Sequence, residues 1–593
     1  MFEKIVSLKK ILGDKIFYAV VATFFLSFIS TLVEILGIGF LAVFAVSLAQ
    51  PEIMINKVPF DNLRIYLLSL EFLDLIILIA ITIIITFFLK HLITFSIYFF
   101  EIKIVKKLNL KIKQKLFKNF LDRNYEIFMS KNKSEITNIV THQTNGFVNY
   151  LYNFFTICKE FLLISIIFVG MLLVNWKLIL SLMFILVLLL FLFSKTFKKK
   201  LNDIGYRARA LQEQEIRHLN ESYESIKFIK LSNKRNFFMN LLTNINNKKN
   251  RYEIMHFLIG KLPKIYSELT IIILFMIFVI FMLLQNESSN SIYGVITFLA
   301  FSIIRLLPSF ILVNNSYTSL SFYKTSFDII INEASILTSE IKDKNLKEEK
   351  ADHELKNINF KNVNFSYQNS EKSTLKNISF SINEKDRLGI IGSSGCGKST
   401  ILNLMCGLLE PSKGKILFND IDLTENKMLL KEKVSYVSQD TYLLDKSFKS
   451  NITLGDNEKD IDYSKLEKSI EISNLKDLIE SSRENLNKIV GDGGSKISHG
   501  QRQRIGIARA LYSNPDLLII DEGLNALDYE NEEDILKKIT FGHSGMIVFV
   551  SHRIESLRYC NKLLIIDSGK IIDFGLKDEL IDKHKDLQKY FQI

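Results

Sequence analysis

Long apolar runs dominate the first half of the chain, and each approaches or exceeds the roughly 20 residues that cross a bilayer as a helix. These runs occupy residues 17–48, 73–100, 147–174, 178–193, 258–284 and 292–313. The first run is longer than the apolar core of a signal peptide, which spans roughly 7–15 residues, so we expect a retained helix. The pattern predicts an all-α membrane domain with six helices over residues 1–334.

The second half has a different pattern. Lys, Glu and Asp dominate residues 335–355, which we interpret as a linker. Beyond it, short Val, Ile and Leu runs alternate with polar helical stretches, a pattern typical of an α/β domain. We therefore predict a second domain over residues 356–593.

Loop charges indicate how the membrane domain is oriented. Cations crowd the loops between spans 2 and 3 and between spans 4 and 5, whereas the loops at 175–177 and 285–291 are short and nearly free of them. By the positive-inside rule, both termini and the α/β domain face the cytoplasm. Polar, turn-like stretches at 124–140 and 221–235 predict short transverse helices within the long cytoplasmic loops. The outer segment 51–70 fits an amphipathic interfacial helix or a loop.

Composition narrows the function classes. The net charge is +12, and the lysines cluster at the predicted membrane boundaries. Lysines that flank membrane spans therefore explain the positive charge better than nucleic-acid binding does. The four cysteines lack CxxC spacing, which excludes a zinc ribbon, a ferredoxin cluster motif and a disulfide scaffold. Their use is typical of a reducing cytosol.

The clearest motif follows a predicted strand at 387–391 and opens an apolar helix at 401–409. It matches G-x-x-x-x-G-K-[ST] in full and comprises Gly392, Ser393, Ser394, Gly395, Cys396, Gly397, Lys398, Ser399 and Thr400. In such a loop, backbone N–H groups wrap phosphates, the lysine reaches the β- and γ-phosphates, and the serine hydroxyl binds Mg²⁺. The motif predicts ATP and Mg²⁺ as cofactors, with Cys396 a tolerated small residue rather than a redox switch.

A second apolar strand, at 517–520, ends in two carboxylates. Asp521 suits coordination of Mg²⁺, and Glu522 suits polarisation of the attacking water. Alone this is a common ending for a buried strand, but after a phosphate-binding loop it indicates a nucleotide hydrolase.

Residues 497–501 read Ile-Ser-His-Gly-Gln, which resembles the LSGGQ signature of the nucleotide-binding domains of ABC transporters. His499 replaces the first glycine of that signature, and this departure lies at a position close to nucleotide in the family. The resemblance implies that Ser498, Gly500 and Gln501 contact nucleotide on the opposite subunit. It also implies that Tyr367 stacks on adenine and that Gln439 joins Mg²⁺ to the membrane domain. In the same way, Asp528 would lie in the loop crossing the dimer interface, and His552 would contact the γ-phosphate.

Six spans followed by one such domain is the half-transporter layout of ABC exporters. The resemblance therefore implies a homodimer with two equivalent composite ATP sites, in the inner membrane of a bacterium. The stretches 124–140 and 221–235 then resemble the coupling helices of that family. Glu522 with His552 and Gln439 would form the catalytic set, and Ser399, Gln439 and Asp521 would bind the metal.

Cations inside the spans point to a substrate. Lys90, Lys264 and Arg305 come from three helices, each on the order of 20–30 Å from the outer face at 1.5 Å per residue. Charges in spans are costly and mark function by default, and three cations at one depth suit an anionic group such as a diphosphate. Internal pairing with Glu34 and Glu268 is an equally good explanation.

Several further stretches resemble the PglK-type flippases, which move lipid-linked oligosaccharide across the bacterial inner membrane for protein N-glycosylation. They are NYExF (124–128), KNxSE (131–135), FIKL (228–231), PxIY (263–266), NES (286–288), RLxPS (305–309) and VGDGG (490–494). The resemblance implies a polyprenyl-diphosphate oligosaccharide as substrate, with residues 51–70 contacting its tail. The alternatives are an exporter of peptides, other lipids or hydrophobic small molecules, and a regulatory ATPase that transports nothing.

Overall fold

Two units make up the chain. In the computed structural model one unit comprises Met1–Arg123 with Lys131–Lys342, and the other comprises Asn124–Ser130 with Asp343–Ile593. The structure describes isolated positions between 18 and 44 and then residues 61–130, 133–172, 176–284, 289–342, 354–367, 372–423, 433–481, 483–524, 527–551 and 557–584.

The first unit is helical throughout its described part. Its predicted spans 2 to 6 fall on five long helices, whereas span 1 lies mostly outside the described residues. The long and short helices before residue 343 are α1 (Asp61–Leu68), α2 (Phe72–Leu121), α3 (Tyr125–Ser130), α4 (Lys133–Asn138), α5 (Thr144–Leu172), α6 (Trp176–Glu224), α7 (Ile226–Leu231), α8 (Arg235–Leu284) and α9 (Ser289–Lys342). Of these, α3 belongs to the α/β unit.

Two helical segments of the described residues are long and apolar enough to cross a membrane. They are Phe72–Leu121 and Lys133–Val169. Isoleucines and phenylalanines such as Ile84 and Phe88 are exposed along α2. An apolar surface of this kind is what a helix presents to lipid, where its backbone hydrogen bonds are satisfied internally.

Short helices occupy both stretches predicted to be transverse. The six-residue α3 lies within 124–140, and the six-residue α7 lies within 221–235. The described part of the outer segment contains the helix α1. This helix packs Leu67 against Leu75 and Ile79 of α2. Helix α9 continues to Lys342, so the described start of the predicted linker 335–355 is helical, and the bounds of that linker stay a prediction.

Helices α5, α6 and α9 approach one another closely through small residues. A Cβ atom at Gly205 of α6 would lie 2.3 Å from the backbone oxygen of Phe322 on α9. Next to this contact, Nε of the buried Arg209 donates to Ser326 Oγ at 2.6 Å, and Ser326 Oγ donates to Gln143 Oε1 at 2.7 Å. Burial lowers the pKa of Arg209 to about 10, so the guanidinium remains charged at neutral pH.

The close approach at Gly205 gives a testable stability difference. We expect Gly205→Ala to destabilise the folded chain by about 1–3 kcal/mol, because the added methyl meets backbone rather than a movable side chain. Gly260→Ala is the matched control in α8, since a Cβ there would lie 3.5 Å from Thr318 Oγ1, an ordinary contact. Thermal unfolding in detergent would measure both, and equal melting temperatures would contradict the close packing.

The second unit is built on two β-sheets. A four-stranded antiparallel sheet has the order β2-β1-β4-β5, and a six-stranded sheet has the order β10-β9-β3-β8-β7-β6. The strands are β1 (Asn357–Phe365), β2 (Leu375–Asn383), β3 (Arg387–Gly392), β4 (Lys413–Phe418), β5 (Ile421–Asp422), β6 (Val434–Val437), β7 (Leu517–Asp521), β8 (Met546–Val550), β9 (Lys562–Asp567) and β10 (Lys570–Leu576). The helices are α10 (Lys398–Met405), α11 (Phe448–Ile452), α12 (Tyr463–Ile472), α13 (Lys476–Glu480), α14 (His499–Tyr512), α15 (Tyr529–Gly542) and α16 (Lys577–Lys583).

The six-stranded sheet brings the predicted motifs together. Strands β9, β3, β8, β7 and β6 are parallel, and β7 and β8 consist almost wholly of buried apolar residues. Such continuous apolar runs are typical of parallel strands covered on both faces. Because parallel strands end at the same edge, the carboxyl ends of β3, β7 and β8 all lie at one edge of the sheet.

Candidate functional site

The loop between β3 and α10 has the backbone of a phosphate cradle. Gly395 and Gly397 adopt φ angles of +79° and +110°, in the left-handed region that favours glycine. A Cβ at Gly397 would lie 2.7 Å from a methyl of Leu375, whereas a Cβ at Gly395 would meet nothing within 4 Å. The loop is therefore closed against β2 on one side and open on the other.

The start of α10 supplies donors at this open side. Gly397 caps the helix without a side chain, so the first-turn N–H groups of Lys398, Ser399 and Thr400 have no side-chain cap. Unpaired N–H groups at a helix start form a ready anion site. Lys398 Nζ donates to the backbone oxygens of Gly392 at 2.8 Å and Ser393 at 3.1 Å, across the loop. These donors fit the phosphate chain of a nucleotide.

The two carboxylates after β7 have distinct partners. Asp521 Oδ2 accepts a 2.6 Å hydrogen bond from the hydroxyl of Tyr436, on the neighbouring strand β6. Partial burial and this hydrogen bond raise the pKa of Tyr436, so the phenol stays protonated and donating. Sequence reasoning missed Tyr436. The one feature of the sequence that could have pointed to Tyr436 is its position three residues before Gln439.

Glu522 is held in an uncommon backbone conformation. Its φ angle is +51°, in the left-handed region, which a non-glycine residue adopts only where the surroundings enforce it. The backbone N–H of Glu522 donates to Val550 O at 2.9 Å, and Gln439 Nε2 donates to Glu522 Oε2 at 3.0 Å. The structure thus brings together Gln439 and Glu522, and it holds the Glu522 side chain at the edge of the sheet.

Tyr367 lies beside the phosphate loop. Its hydroxyl is 3.2 Å from Thr400 Oγ1 in the first turn of α10, and its ring packs edge-on against Phe365 with centroids 4.9 Å apart. The ring predicted to stack on adenine is therefore next to the predicted phosphate site.

The signature residues form the start of α14. Ser498 is the N-cap and makes a capping box with Gln501, in which Ser498 Oγ accepts from Gln501 N and Gln501 Oε1 accepts from Ser498 N. His499 takes the first helical position, with Nε2 3.6 Å from Asp440 Oδ1, and both side chains are exposed. The helix is also tied to the loop after β6, because Gln503 Nε2 donates to the backbone oxygen of Gln439 at 3.3 Å.

Asp528 is the N-cap of α15. Its carboxylate accepts hydrogen bonds from the side chain and the backbone N–H of Asn531, and these bonds lower the pKa of Asp528. His552 follows β8 by two residues in the sequence, and it lies outside the described residues.

The proposed substrate cations lie on three different helices. Lys90 is half-buried on α2 with Nζ 5.5 Å from the centroid of Phe87, Lys264 is exposed on α8, and Arg305 belongs to α9. The side chain of Arg305 and the whole of Glu34 lie outside the described part of the chain. Glu268 is one turn beyond Lys264 on the same helix.

Sequence reasoning missed the ion pairs that join helices in the described part of the membrane unit. Glu101 of α2 pairs with Lys159 of α5, and Arg123 after α2 pairs with Glu333 of α9. Lys159 interrupts the apolar run 147–174, so the sequence could have indicated that this lysine needs a partner. The sequence could not indicate that the partner is Glu101, because the two residues are far apart along the chain.

Comparison with known proteins identifies the class. Residues 375–525 match the family model for the ABC transporter, and residues 16–308 match the model for the ABC transporter transmembrane region. The two ranges together cover well over half of the chain. The chain therefore belongs to the ABC transporter family: it is an ABC exporter half-transporter with an ATP-hydrolysing domain.

Individual relatives refine this picture. An ATP-dependent lipid A-core flippase of Cupriavidus pinatubonensis is 24% identical over 482 residues, 80% of each chain. The alpha-hemolysin translocation ATP-binding protein HlyB of Escherichia coli is 35% identical over 228 residues, which cover 38% of this chain and 32% of HlyB.

A solved bacterial Atm1-family ABC exporter with ATP bound shares the fold, with a TM-score of 0.78 over 98% of both chains at 17% identity. The predicted helical membrane domain followed by an α/β nucleotide-binding domain is confirmed. The number of six spans stays a prediction.

Proposed function

We propose that the chain is an ATP-driven flippase for a polyprenyl-diphosphate-linked oligosaccharide, moving it from the cytoplasmic to the periplasmic leaflet. The observation that carries the proposal is the alignment with the lipid A-core flippase. An alignment of 482 residues is too long for the α/β unit alone, so it includes much of the membrane unit. The membrane unit is the part that selects a substrate.

ATP hydrolysis is assigned to residues at the edge of the six-stranded sheet. Bound ATP with Mg²⁺ supplies the phosphoanhydride that is cleaved. Residues 392–400 hold the phosphates through backbone N–H groups and Lys398, and Ser399, Asp521 and Gln439 are the candidate metal ligands. Glu522 orients and deprotonates the attacking water, because its carboxylate is held by Gln439 and its backbone position is fixed by Val550.

Completion of the site requires a second subunit. Ser498, Gly500 and Gln501 present a helix start as a phosphate-binding group, with Tyr367 and Thr400 beside the phosphate loop of the same chain. A homodimer would pair each helix start with the partner's phosphate loop and give two equivalent sites, with Asp528 in the loop that crosses the interface and His552 contacting the γ-phosphate.

Lys90, Lys264 and Arg305 are proposed to bind the diphosphate of the lipid. Each belongs to a different long helix of the membrane unit, and a diphosphate offers enough anionic oxygens for three cations. Intramembrane cations are costly, so a function for them is the default expectation. Segment 51–70 and the membrane lipids would accommodate the polyprenyl tail.

The second candidate is export of a protein or hydrophobic compound, and the match to HlyB favours it. That match covers 38% of this chain, a length that the nucleotide-binding domain by itself could supply. A shared ATPase domain says little about cargo, so the longer alignment weighs more.

A flipping assay in proteoliposomes tests the proposal. We expect ATP-dependent movement of polyprenyl-diphosphate oligosaccharide by the wild type. We expect Arg305→Leu to lower it by about 10-fold or more, the loss of one charge-assisted contact, with ATP hydrolysis retained. Lys248→Leu, which removes an exposed lysine of α8 outside the predicted span 258–284, is the matched control. A wild type that hydrolyses ATP yet never moves this lipid would contradict the flippase assignment and favour the second candidate.

A further inference from the structure

A buried ion pair lies where the chain leaves the membrane unit. Arg123 Nη2 is 2.5 Å from Glu333 Oε2, and the Arg123 and Glu333 side chains are 4% and 10% exposed. The guanidinium carbon also lies 4.9 Å from the ring centroid of Phe120. Both residues belong to the membrane unit, and they join the end of α2 to α9.

The chain passes between the two units three times, after Arg123, after Ser130 and after Lys342. The ion pair involves the residue before the first of these crossings and the helix before the last. Arg123 is the last residue before the first crossing, and the segment Asn124–Ser130 that follows belongs to the α/β unit. Glu333 lies on α9, which ends at Lys342, the last residue before the final crossing. The pair therefore joins the residue that precedes segment 124–130 to the helix that leads into the nucleotide-binding domain.

A buried ion pair is costly to separate. Separating the partners leaves an uncompensated charge in a dry site, which costs far more than stretching an exposed pair. The ring of Phe120 further restricts the guanidinium. As a result, the end of α2 and the cytoplasmic part of α9 are held together as one block.

We propose that Arg123 and Glu333 are positioning residues that couple ATP hydrolysis to movement of the membrane helices. A displacement of segment 124–130 reaches α2 through the backbone, and the ion pair passes it to α9 at the same time. Without the pair, α2 and α9 move independently of each other, and ATP is hydrolysed without a joint movement of the two helices. The inference rests on the chain being an ABC transporter and does not depend on which substrate it carries.

Hydrogen exchange of the full chain in lipid nanodiscs, with and without ATP and vanadate, tests the coupling. The wild type is expected to show a nucleotide-dependent change of exchange in peptides of both α2 and α9. We expect Arg123→Ala to reduce the change in α9 at least about fivefold, the lower end of typical coupling effects, while basal ATP hydrolysis stays within about threefold. A structural role alone would lower both readouts together.

Exchanging the two charges tests whether the effect depends on the ion pair or on each side chain separately. Arg123→Glu and Glu333→Arg are each expected to uncouple the chain, and the double variant is expected to recover the wild-type response to within about twofold. The matched control is the exchange of Glu215 and Lys249, an ion pair of 2.7 Å between α6 and α8 that adjoins none of the crossings. That exchange is expected to leave the response of α9 unchanged.

Three results would overturn the proposal. They are a wild-type exchange response in Arg123→Ala, failure of a folded, ATP-hydrolysing double variant to recover, and an equal loss in the Glu215–Lys249 control. If Arg123→Ala does not fold, Glu333→Gln takes its place, because it keeps the shape and one acceptor oxygen while removing the charge. A loss of coupling is expected there too. No lipid transport is measured, so failure of the flippase assignment would leave these results intact.

Discussion

Replacing Glu522 with Gln is expected to lower the kcat of ATP hydrolysis by about 10²- to 10⁴-fold, the range typical of a lost general base. Glutamine has the same shape, so it can keep the 3.0 Å contact with Gln439 and the left-handed backbone that Glu522 adopts. It cannot accept the proton of the attacking water. ATP binding is expected to stay within about threefold of the wild type, because the phosphate loop is untouched.

Single-turnover hydrolysis and equilibrium binding of ATP would measure the two effects separately. Glu530→Gln is the matched control, since Glu530 is an exposed carboxylate in the first turn of α15 in the same domain. It is expected to leave both quantities unchanged. Near-normal turnover in Glu522→Gln would remove this carboxylate from the mechanism.

Motifs set by local spacing were predictable from the sequence. The phosphate loop was expected between a strand and a helix, and Gly392 does end β3 while Lys398 does begin α10. Local chemistry dictates this arrangement, because the glycines must adopt positive φ angles and the helix start must stay uncapped. The same holds for Asp521 at the end of a strand of consecutive apolar residues.

Contacts made across the sheet were not predictable in this way. Tyr436 donates to Asp521 because β6 pairs with β7, and only the register of that pairing brings a tyrosine of β6 to this carboxylate. The left-handed conformation of Glu522 likewise has no sequence signal, because glutamate rarely adopts it. In the fold, the backbone N–H of Glu522 donates to the oxygen of Val550 on the neighbouring β8, a contact that only the sheet pairing supplies.

The charged residues of the membrane unit could likewise be located from the sequence, but their partners could not be predicted. Lys90, Lys264 and Arg305 stand out because each interrupts an apolar run. Glu101 was overlooked because it falls just past the end of a run, although Lys159 of another helix pairs with it. A single sequence reveals where a charge is costly, but the partner that offsets the cost is set by helix packing. Arg123 and Glu333 are separated by most of the membrane unit and could be paired only in the folded chain.

Replacing Lys398 with Ala is expected to weaken ATP binding by about 3 kcal/mol, or about a hundredfold in Kd, the size of one or two charge-assisted hydrogen bonds to phosphate. Lys398 is nearly buried, and its ammonium is held over the loop by the backbone oxygens of Gly392 and Ser393. That geometry places the charge where a phosphate chain would lie, so its loss acts on binding before any chemical step. Equilibrium binding of ATP would measure the change.

A stability measurement provides an independent readout, because a ligand that binds only the folded state stabilises it by RT ln(1 + [L]/Kd). At an ATP concentration about 100 times the wild-type Kd, the wild type gains about 2.7 kcal/mol, whereas Lys398→Ala gains only about 0.4 kcal/mol. Lys413→Ala, which removes an exposed lysine of β4, is expected to keep the full gain. Because Glu522→Gln should also keep it, the two site variants separate phosphate binding from hydrolysis. Full ATP stabilisation in Lys398→Ala would place the phosphates elsewhere than in the loop after β3.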